Sequence, residues 1–483
     1  MPSMPEASIM EKTEVQFDTN IDESLKPTSL EHRELSPVKF MFMWLGEGVN
    51  MGNITIGSSL FVAGVATLNF AQTLVATIIA LAIITTLFVL NGRLAYNTGI
   101  PYVVHLRMSF GMKGGIISSL LRGIPAIVWY GFQSWIGATA LNEIVKVFSS
   151  GTFDNIFISF LVLQGVQIFL SMFGFHAIKW VQMVTGTVIM LALAYVFVIL
   201  MKSHSDVMAQ NWVHVKGSWG VPFVASIMVM LGNYAALFLS AADYSRELKS
   251  GMSKTKQSFV YLIPLIFSYG FAMIVGAMLS SATGIINPVK AFAVVVDNPY
   301  ITVFVSSFII LSAIGVNLVA NIISPAYVIT LLTKVNYKVA VIITGLLAIC
   351  AFPWVLVQDS SAKGLGLFIS IYSAFLGPIL SILLVDYFIF RKQKINVADL
   401  YKEDGPFSGI NPSAVLAMLI GAGAAFIKVD LAWIVGLVVG GIAYFLLTKY
   451  AFKNSLFKKG TILETTSVRY EIVKNVNSQN TQQ

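Results

Sequence analysis

The chain has 483 residues, 56% of them hydrophobic and only 11% charged, with a mean hydropathy of +0.79. Soluble domains carry about 25% charged residues, so this chain cannot coat a water-exposed surface of its size and reads as an integral membrane protein. The net charge of +8 is better explained by basic residues between apolar runs than by nucleic-acid binding, and the lone Cys350 excludes an internal disulfide or a cysteine zinc site.

Residues 1–37 are polar and largely acidic (Glu6, Glu11, Glu14, Asp18, Asp22, Glu23, Glu31, Glu34). They lack the basic start and short apolar core of a signal peptide and are expected to form a soluble, partly disordered tail. A spanning helix needs about 20 mostly apolar residues. Twelve such runs follow: 38–65, 71–91, 115–147, 155–174, 178–201, 220–241, 258–284, 300–325, 338–358, 365–390, 411–427 and 431–451. With the N-terminus inside, the inner loops hold Arg93, Arg107, Lys113, Lys179, Arg246, Lys249, Lys254, Lys256, Lys334, Lys338, Arg391, Lys392, Lys394 and Lys402. The outer loops hold only Lys202, Lys216, Lys290, Lys363 and Lys428. Positive-inside counting therefore predicts that both termini are cytoplasmic, and an even number of spans agrees.

The first run contains WLGEGVNMGN, residues 44–53, where Gly46, Gly48, Gly52, Asn50, Asn53 and Glu47 interrupt an apolar helix. Lipid satisfies no backbone group, so an unravelled stretch at membrane depth survives only inside protein or beside a cavity. The stretch fits either a binding site in a broken helix or a glycine-rich packing face. The sixth run is interrupted at Gly232 and Asn233, and a break is expected there too. Five spans separate the two starts, so the second unit enters from the opposite side, the pattern of an inverted repeat.

The third run carries PAIVWYGFQSWIG, with Trp129 and Gln133 four residues apart on one helix face. An aromatic plane beside an amide can stack a flat ring and bond its edge, or it can simply pack helices. The eighth run carries Asn317 and Asn321, also four apart, with Pro325 bending the helix after them. Asn233 and Tyr234 add an amide and a phenol from the sixth run. Aromatic and amide groups on four runs make a coherent pocket for a small planar amide-bearing ring. A carboxylate in the membrane is by default a functional candidate, so Glu47 is a candidate proton carrier, against a passive place in a water-filled vestibule. Asp243 and Asp386 read as anchors at helix ends, and Arg122 as a snorkelling cation near the cytoplasmic end. The five histidines show no metal-ligand spacing, and no nucleophile triad, nucleotide loop or paired carboxylates support an enzyme.

These motifs resemble nucleobase:cation symporter family 1, the purine, pyrimidine, hydantoin and allantoin permeases. The likeness rests on MWLGEGVN, RGIPAIVWYGFQSWIGA, VNLVANIISPAY and VDYFIFRKQKINVADLY, and is greatest to bacterial hydantoin and allantoin permeases. It implies an all-α integral membrane fold of twelve transmembrane helices: a LeuT-like inverted five-plus-five repeat with broken helices 1 and 6 and two extra C-terminal helices. The segments expected are a tail 1–37, repeats 38–201 and 220–390 about an outer loop 202–219, an inner loop 391–410, the last two helices 411–451, and a tail 452–483.

Carried over by motif, the stacking tryptophan matches Trp129, the hydrogen-bonding glutamine Gln133, the eighth-run asparagine Asn321 and the first-run amide Asn50. Where the hydantoin transporter has a glycine and a second tryptophan, this chain has Asn233 and Tyr234. That departure implies a smaller or more polar ligand than an aryl hydantoin, such as uracil, allantoin or another ureide. In sodium-coupled members, carbonyls matching Gly46, Val49 and Ser312 and two hydroxyls hold the ion. The hydroxyl positions are Gly315 and Val316 here, which puts sodium in doubt and favours a proton at Glu47. The expectation is a plasma-membrane, monomeric secondary importer of a nucleobase or cyclic ureide, without cofactor or bound metal. The alternative is a carrier of a purine, cytosine or vitamin that is sodium-coupled or uncoupled. An amino acid carrier is disfavoured by Trp129 with Gln133, and a non-transporting receptor by the paired breaks.

Overall fold

The computed structural model describes residues 21–59, 68–286, 288–295, 299–356, 362–428, 431–452 and 455–464. Among these the secondary structure is helical, apart from an isolated bridge between Leu35 and Leu248. Ser36 caps the first helix by accepting from the Lys39 N–H, and Pro37 follows where a missing donor costs nothing. This helix, α1 (Pro37–Gly48), ends at Val49, whose backbone is extended, and α2 (Met51–Ser59) resumes the run. The expected end of that run, 60–65, lies outside the described residues.

A capping box between Asn69 and Gln72 opens α3 (Phe70–Thr98). In α4 (Tyr102–Phe148), Gly111 takes φ 80°, which only glycine adopts easily, and sets a short arm off from the third expected run. There follow α5 (Ile156–Ser171), α6 (Phe175–Ser203), the single turn α7 (Ser205–Met208), α8 (Val221–Leu239) and another short turn, α9 (Ala241–Ser245). The seventh span is α10 (Lys254–Leu265) and α11 (Phe271–Thr283), joined by the π-turn Ile266–Gly270. After α12 (Pro288–Val295), the eighth is α13 (Pro299–Val316) and α14 (Ile323–Thr333), joined by the π-turn Asn317–Asn321. The remainder is α15 (Tyr337–Cys350), the turn α16 (Pro353–Leu356), α17 (Ala362–Leu384), α18 (Pro412–Ile427) and α19 (Ala432–Leu446). Among the described residues eight stretches are long and apolar enough to span a membrane, and α5, α15 and α18 are shorter apolar helices.

The packing carries the repeat. The first span, α1 and α2, packs on the fifth (α6) and the seventh (α10 and α11). The sixth, α8 and α9, packs on the tenth (α17) and the second (α3). Exchanging the two sets of five maps one pattern onto the other. Likewise the third span meets the fourth as the eighth meets the ninth, and the third and eighth meet each other. Close approach is built in where α1 meets α6: a Cβ added to Gly186 would stand 2.9 Å from the Gly46 Cα.

Two expectations are corrected. The sixth span does not break at Gly232 and Asn233; α8 runs through both and ends at Leu239, with the interruption at Ser240. A glycine inside a helix costs only about 1 kcal/mol and does not by itself end it. The interruption falls where outside donors take the freed carbonyls. Asn91 Nδ2 donates to the Phe238 and Leu239 carbonyls at 2.9 and 2.6 Å, and Arg122 Nε adds a bond at 2.8 Å to the Ala236 carbonyl, which the Ser240 N–H already engages at 3.2 Å. Arg122 therefore does not snorkel: it is 2% exposed, and its Nη2 reaches the Ala320 carbonyl in the π-turn of the eighth span at 2.7 Å.

Candidate substrate and coupling site

The break in the first span is held by its own amides. Asn50 Nδ2 donates to the Glu47 carbonyl, and Asn50 Oδ1 accepts the Asn53 N–H, each at 2.9 Å. Asn53 Nδ2 donates to the Gly48 carbonyl at 2.7 Å. Asn50 thus acts as the N-cap of α2. Both ends of its carboxamide are committed to the backbone, whereas the motif had implied that it reads a ligand edge.

Trp129 and Gln133 lie one turn apart on α4, facing this break. The Trp129 ring is half-buried, and its Nε1 donates to the Tyr372 hydroxyl of α17 at 2.9 Å. That contact fixes the indole plane. Gln133 is buried, with Nε2 3.8 Å from where a Cβ on Gly52 would stand. Its carboxamide takes no hydrogen-bond partner among the described residues. On the eighth span, Asn317 is locked by the Tyr130 carbonyl, Ser134 Oγ and Gln167 Oε1 at 3.2, 3.1 and 2.7 Å. Asn321 Nδ2 donates to Asn317 Oδ1 at 2.9 Å. Asn317 is a framework residue, and Asn321 is oriented by it.

The sixth span contributes differently from expectation. Asn233 is exposed, and its Nδ2 donates to Asn53 Oδ1 at 2.7 Å. Gly232 beside it faces open space. Tyr234 turns the other way: it is 1% exposed, packs edge-on to Tyr269 and Phe88, and donates its hydroxyl to Glu47 Oε2 at 2.6 Å. It belongs with Glu47 in the interior rather than closing over a ligand. Tyr234–Glu47 and Asn233–Asn53 are therefore two adjacent links between the broken first span and the sixth.

The positions expected to hold an ion lie on the other side of α1. Ser312 Oγ donates weakly to the Val49 carbonyl at 3.4 Å. At Gly46 and Gly315 the space is filled by a residue that the sequence reading passed over, Gln182 of α6. It is 0% exposed, its Nε2 donates to the Gly315 carbonyl at 2.5 Å, and its Oε1 lies against Gly46. The one signal available was a lone amide in the apolar stretch KWVQMVTG. Among the described residues no group of three or more His, Cys, Asp or Glu could hold a metal.

A family described as permeases for cytosine/purines, uracil, thiamine and allantoin matches residues 27–450. The hydantoin permease of Microbacterium maritypicum is 27% identical over 441 residues, covering 86% of each chain. The allantoin permease of Bacillus subtilis is 28% identical over 474 residues, covering 91% of this chain and 95% of that one. Among solved structures, the nucleobase-cation-symport-1 family transporter MHP1, closed with bromovinylhydantoin bound, matches with a TM-score of 0.80 at 23% identity. That match covers 93% of this chain and 99% of that one, and it carries the fold.

Proposed function

The chain belongs to the family of permeases for cytosine/purines, uracil, thiamine and allantoin, and from that membership we propose that it imports a nucleobase or cyclic ureide by alternating access, driven by a proton. The observation that carries the ligand class is the pairing of a fixed, half-buried Trp129 plane with a Gln133 carboxamide that has no partner among the described residues and lies by Gly52, just past the break in the first span. A planar ring stacks on the indole, and its amide edge satisfies Gln133 and Asn321, with Asn233 offering its remaining oxygen. Allantoin and hydantoin are what two relatives are named for, and both present such an edge.

The proton reading rests on Glu47 and Tyr234. A carboxylate in the membrane interior that accepts a hydrogen bond from a phenol on the other broken span can couple its protonation to the packing of the two spans. A proton that neutralises Glu47 removes the charge that this contact serves. Both termini are assigned to the cytoplasm on the distribution of Lys and Arg, and the protein is taken to act as a monomer, as a carrier and not an enzyme.

Uptake of labelled uracil and allantoin by cells lacking their own permeases tests the reading. Uptake of either compound that rises as external pH falls is expected. No uptake of any ring compound across a panel of pyrimidines, purines and ureides would overturn it.

A further inference from the structure

We propose that the Gln182 carboxamide takes the place of a coupling cation at the junction of α1, α6 and α13, so that these helices are tied together without sodium. The inference deepens the proton-driven reading and rests on it for what drives transport. The geometry stands by itself. Three elements meet at Gln182: Gly46 of α1, Gly315 of α13, and Gln182 with Thr185 and Gly186 of α6. Both facing positions are glycines, and each leaves room that the carboxamide fills. A Cβ on Gly46 would overlap Gln182 Oε1, and a Cβ on Gly315 would stand 3.2 Å from Oε1 and 3.4 Å from Nε2. The side chain is wholly buried.

The carbonyl it serves lies two residues before the π-turn Asn317–Asn321, and Gln182 Nε2 gives it a side-chain donor from α6. A cation in such a corner would act as a cross-link, drawing carbonyls of a broken span and of its neighbour to one charge. An N–H donor does the same for one carbonyl, but it is held covalently by α6 and neither arrives nor leaves. The positions where the family resemblance places the two shell hydroxyls are Gly315 and Val316, which have none. A cation would also have to displace the amide before reaching the Gly315 carbonyl. Oε1 has no protein donor among the described residues. The side chain is therefore fixed by Nε2 and by packing on Gly46. Gln182 is a positioning residue for the moving parts, not a contact for the substrate.

Thermal unfolding of the purified full-length protein in NaCl, KCl or choline chloride at equal ionic strength tests this without a transported substrate. The wild type is expected to unfold at one temperature in all three salts. Gln182→Met keeps the volume but removes the donor, and is expected to lower that temperature by about 2–6 °C equally in each salt. The triple variant Gln182→Ala, Gly315→Ser, Val316→Thr empties the corner and restores two hydroxyls, and is expected to gain a rise seen in NaCl alone. A sodium-specific rise in the wild type, or a Gln182→Met protein as stable as wild type, would overturn the proposal. If the triple variant fails to fold, the first two proteins still decide. Failure of every uptake assay with these outcomes intact would count against the transport reading and leave the role of Gln182 standing.

Discussion

At the scale of single residues, the proposed pocket gives Trp129 and Gln133 different tasks, so their contributions should be separable. In that pocket a ring stacked on Trp129 would take most of its apolar contact there, so Trp129→Ala is expected to abolish measurable binding, read by equilibrium binding of labelled ligand. Gln133→Ala removes one hydrogen-bonding partner and leaves a ligand group unpaired. Its expected cost is about 1–3 kcal/mol, or roughly 5–150-fold in Kd. Wild-type affinity in the Trp129→Ala protein would refute the pocket. Glu47→Gln keeps an acceptor for the Tyr234 hydroxyl but cannot take up a proton. Uptake in the wild type is expected to fall as external pH rises. In Glu47→Gln it is expected to be flat with pH, and a retained slope would move the proton elsewhere. Trp129, Gln133 and Asn321 became candidates because aromatic and amide groups at helical spacing stand out in apolar runs. The direction of Tyr234 was not, since the residues flanking it leave either face available until α3 and the seventh span are in place around it.

At the scale of helices, a break is made by whatever receives its freed carbonyls. The first span breaks where its own Asn50 and Asn53 cap it, and that was visible in WLGEGVNMGN. The sixth breaks at Ser240, where Asn91 reaches the Phe238 and Leu239 carbonyls from α3 and Arg122 braces the turn before it from α4, and a local reading of Gly232 and Asn233 could not find it. The family, the helical class and the existence of paired interruptions were readable; the position of the second depended on residues about 120 and 150 places away in the chain. Asn91→Leu keeps the volume and removes both donors. It is expected to cost about 1–3 kcal/mol for each carbonyl left unpaired and to lower the unfolding midpoint by several degrees. Arg122→Met is expected to lower it too, since it takes the side-chain donor from the Ala320 carbonyl of the eighth span, while the Ala236 carbonyl keeps the Ser240 N–H and hydroxyl. An unchanged midpoint in both proteins would mean that the breaks are held by packing alone.

At the scale of the whole molecule, residues 21–36 do not behave as the free tail their composition suggests. They cross one end of the bundle as a strap, while residues 1–20 lie outside the described set. Leu35 donates its N–H to the Glu247 carbonyl and accepts from the Lys249 N–H, both at 2.9 Å. Arg33 Nη1 donates to the carbonyls of Tyr96 and Leu248 at 2.8 and 3.0 Å. Arg246 reaches the Ser24 carbonyl at 2.9 Å, and the Tyr401 hydroxyl the Leu25 carbonyl at 2.8 Å. The second and sixth spans and the loop before α18 are thereby joined by one segment that carries two short 3-10 turns, Glu23–Leu25 and Leu30–His32. Alternating access requires one end of the bundle to open while the other closes, so motion that separates these elements must release the strap. Arg33→Ala leaves both carbonyl contacts unmade while sparing the spans themselves. The expected result is hydrogen exchange at the Leu35 and Lys249 amides about 5–150-fold faster, the range set by losing about 1–3 kcal/mol of local closure. Ligand affinity at Trp129 should stay unchanged, because no strap residue belongs to that pocket. Unaltered exchange at both amides would mean that the strap is held without Arg33. Faster exchange with lost affinity would mean that it shapes the pocket rather than only the closed end.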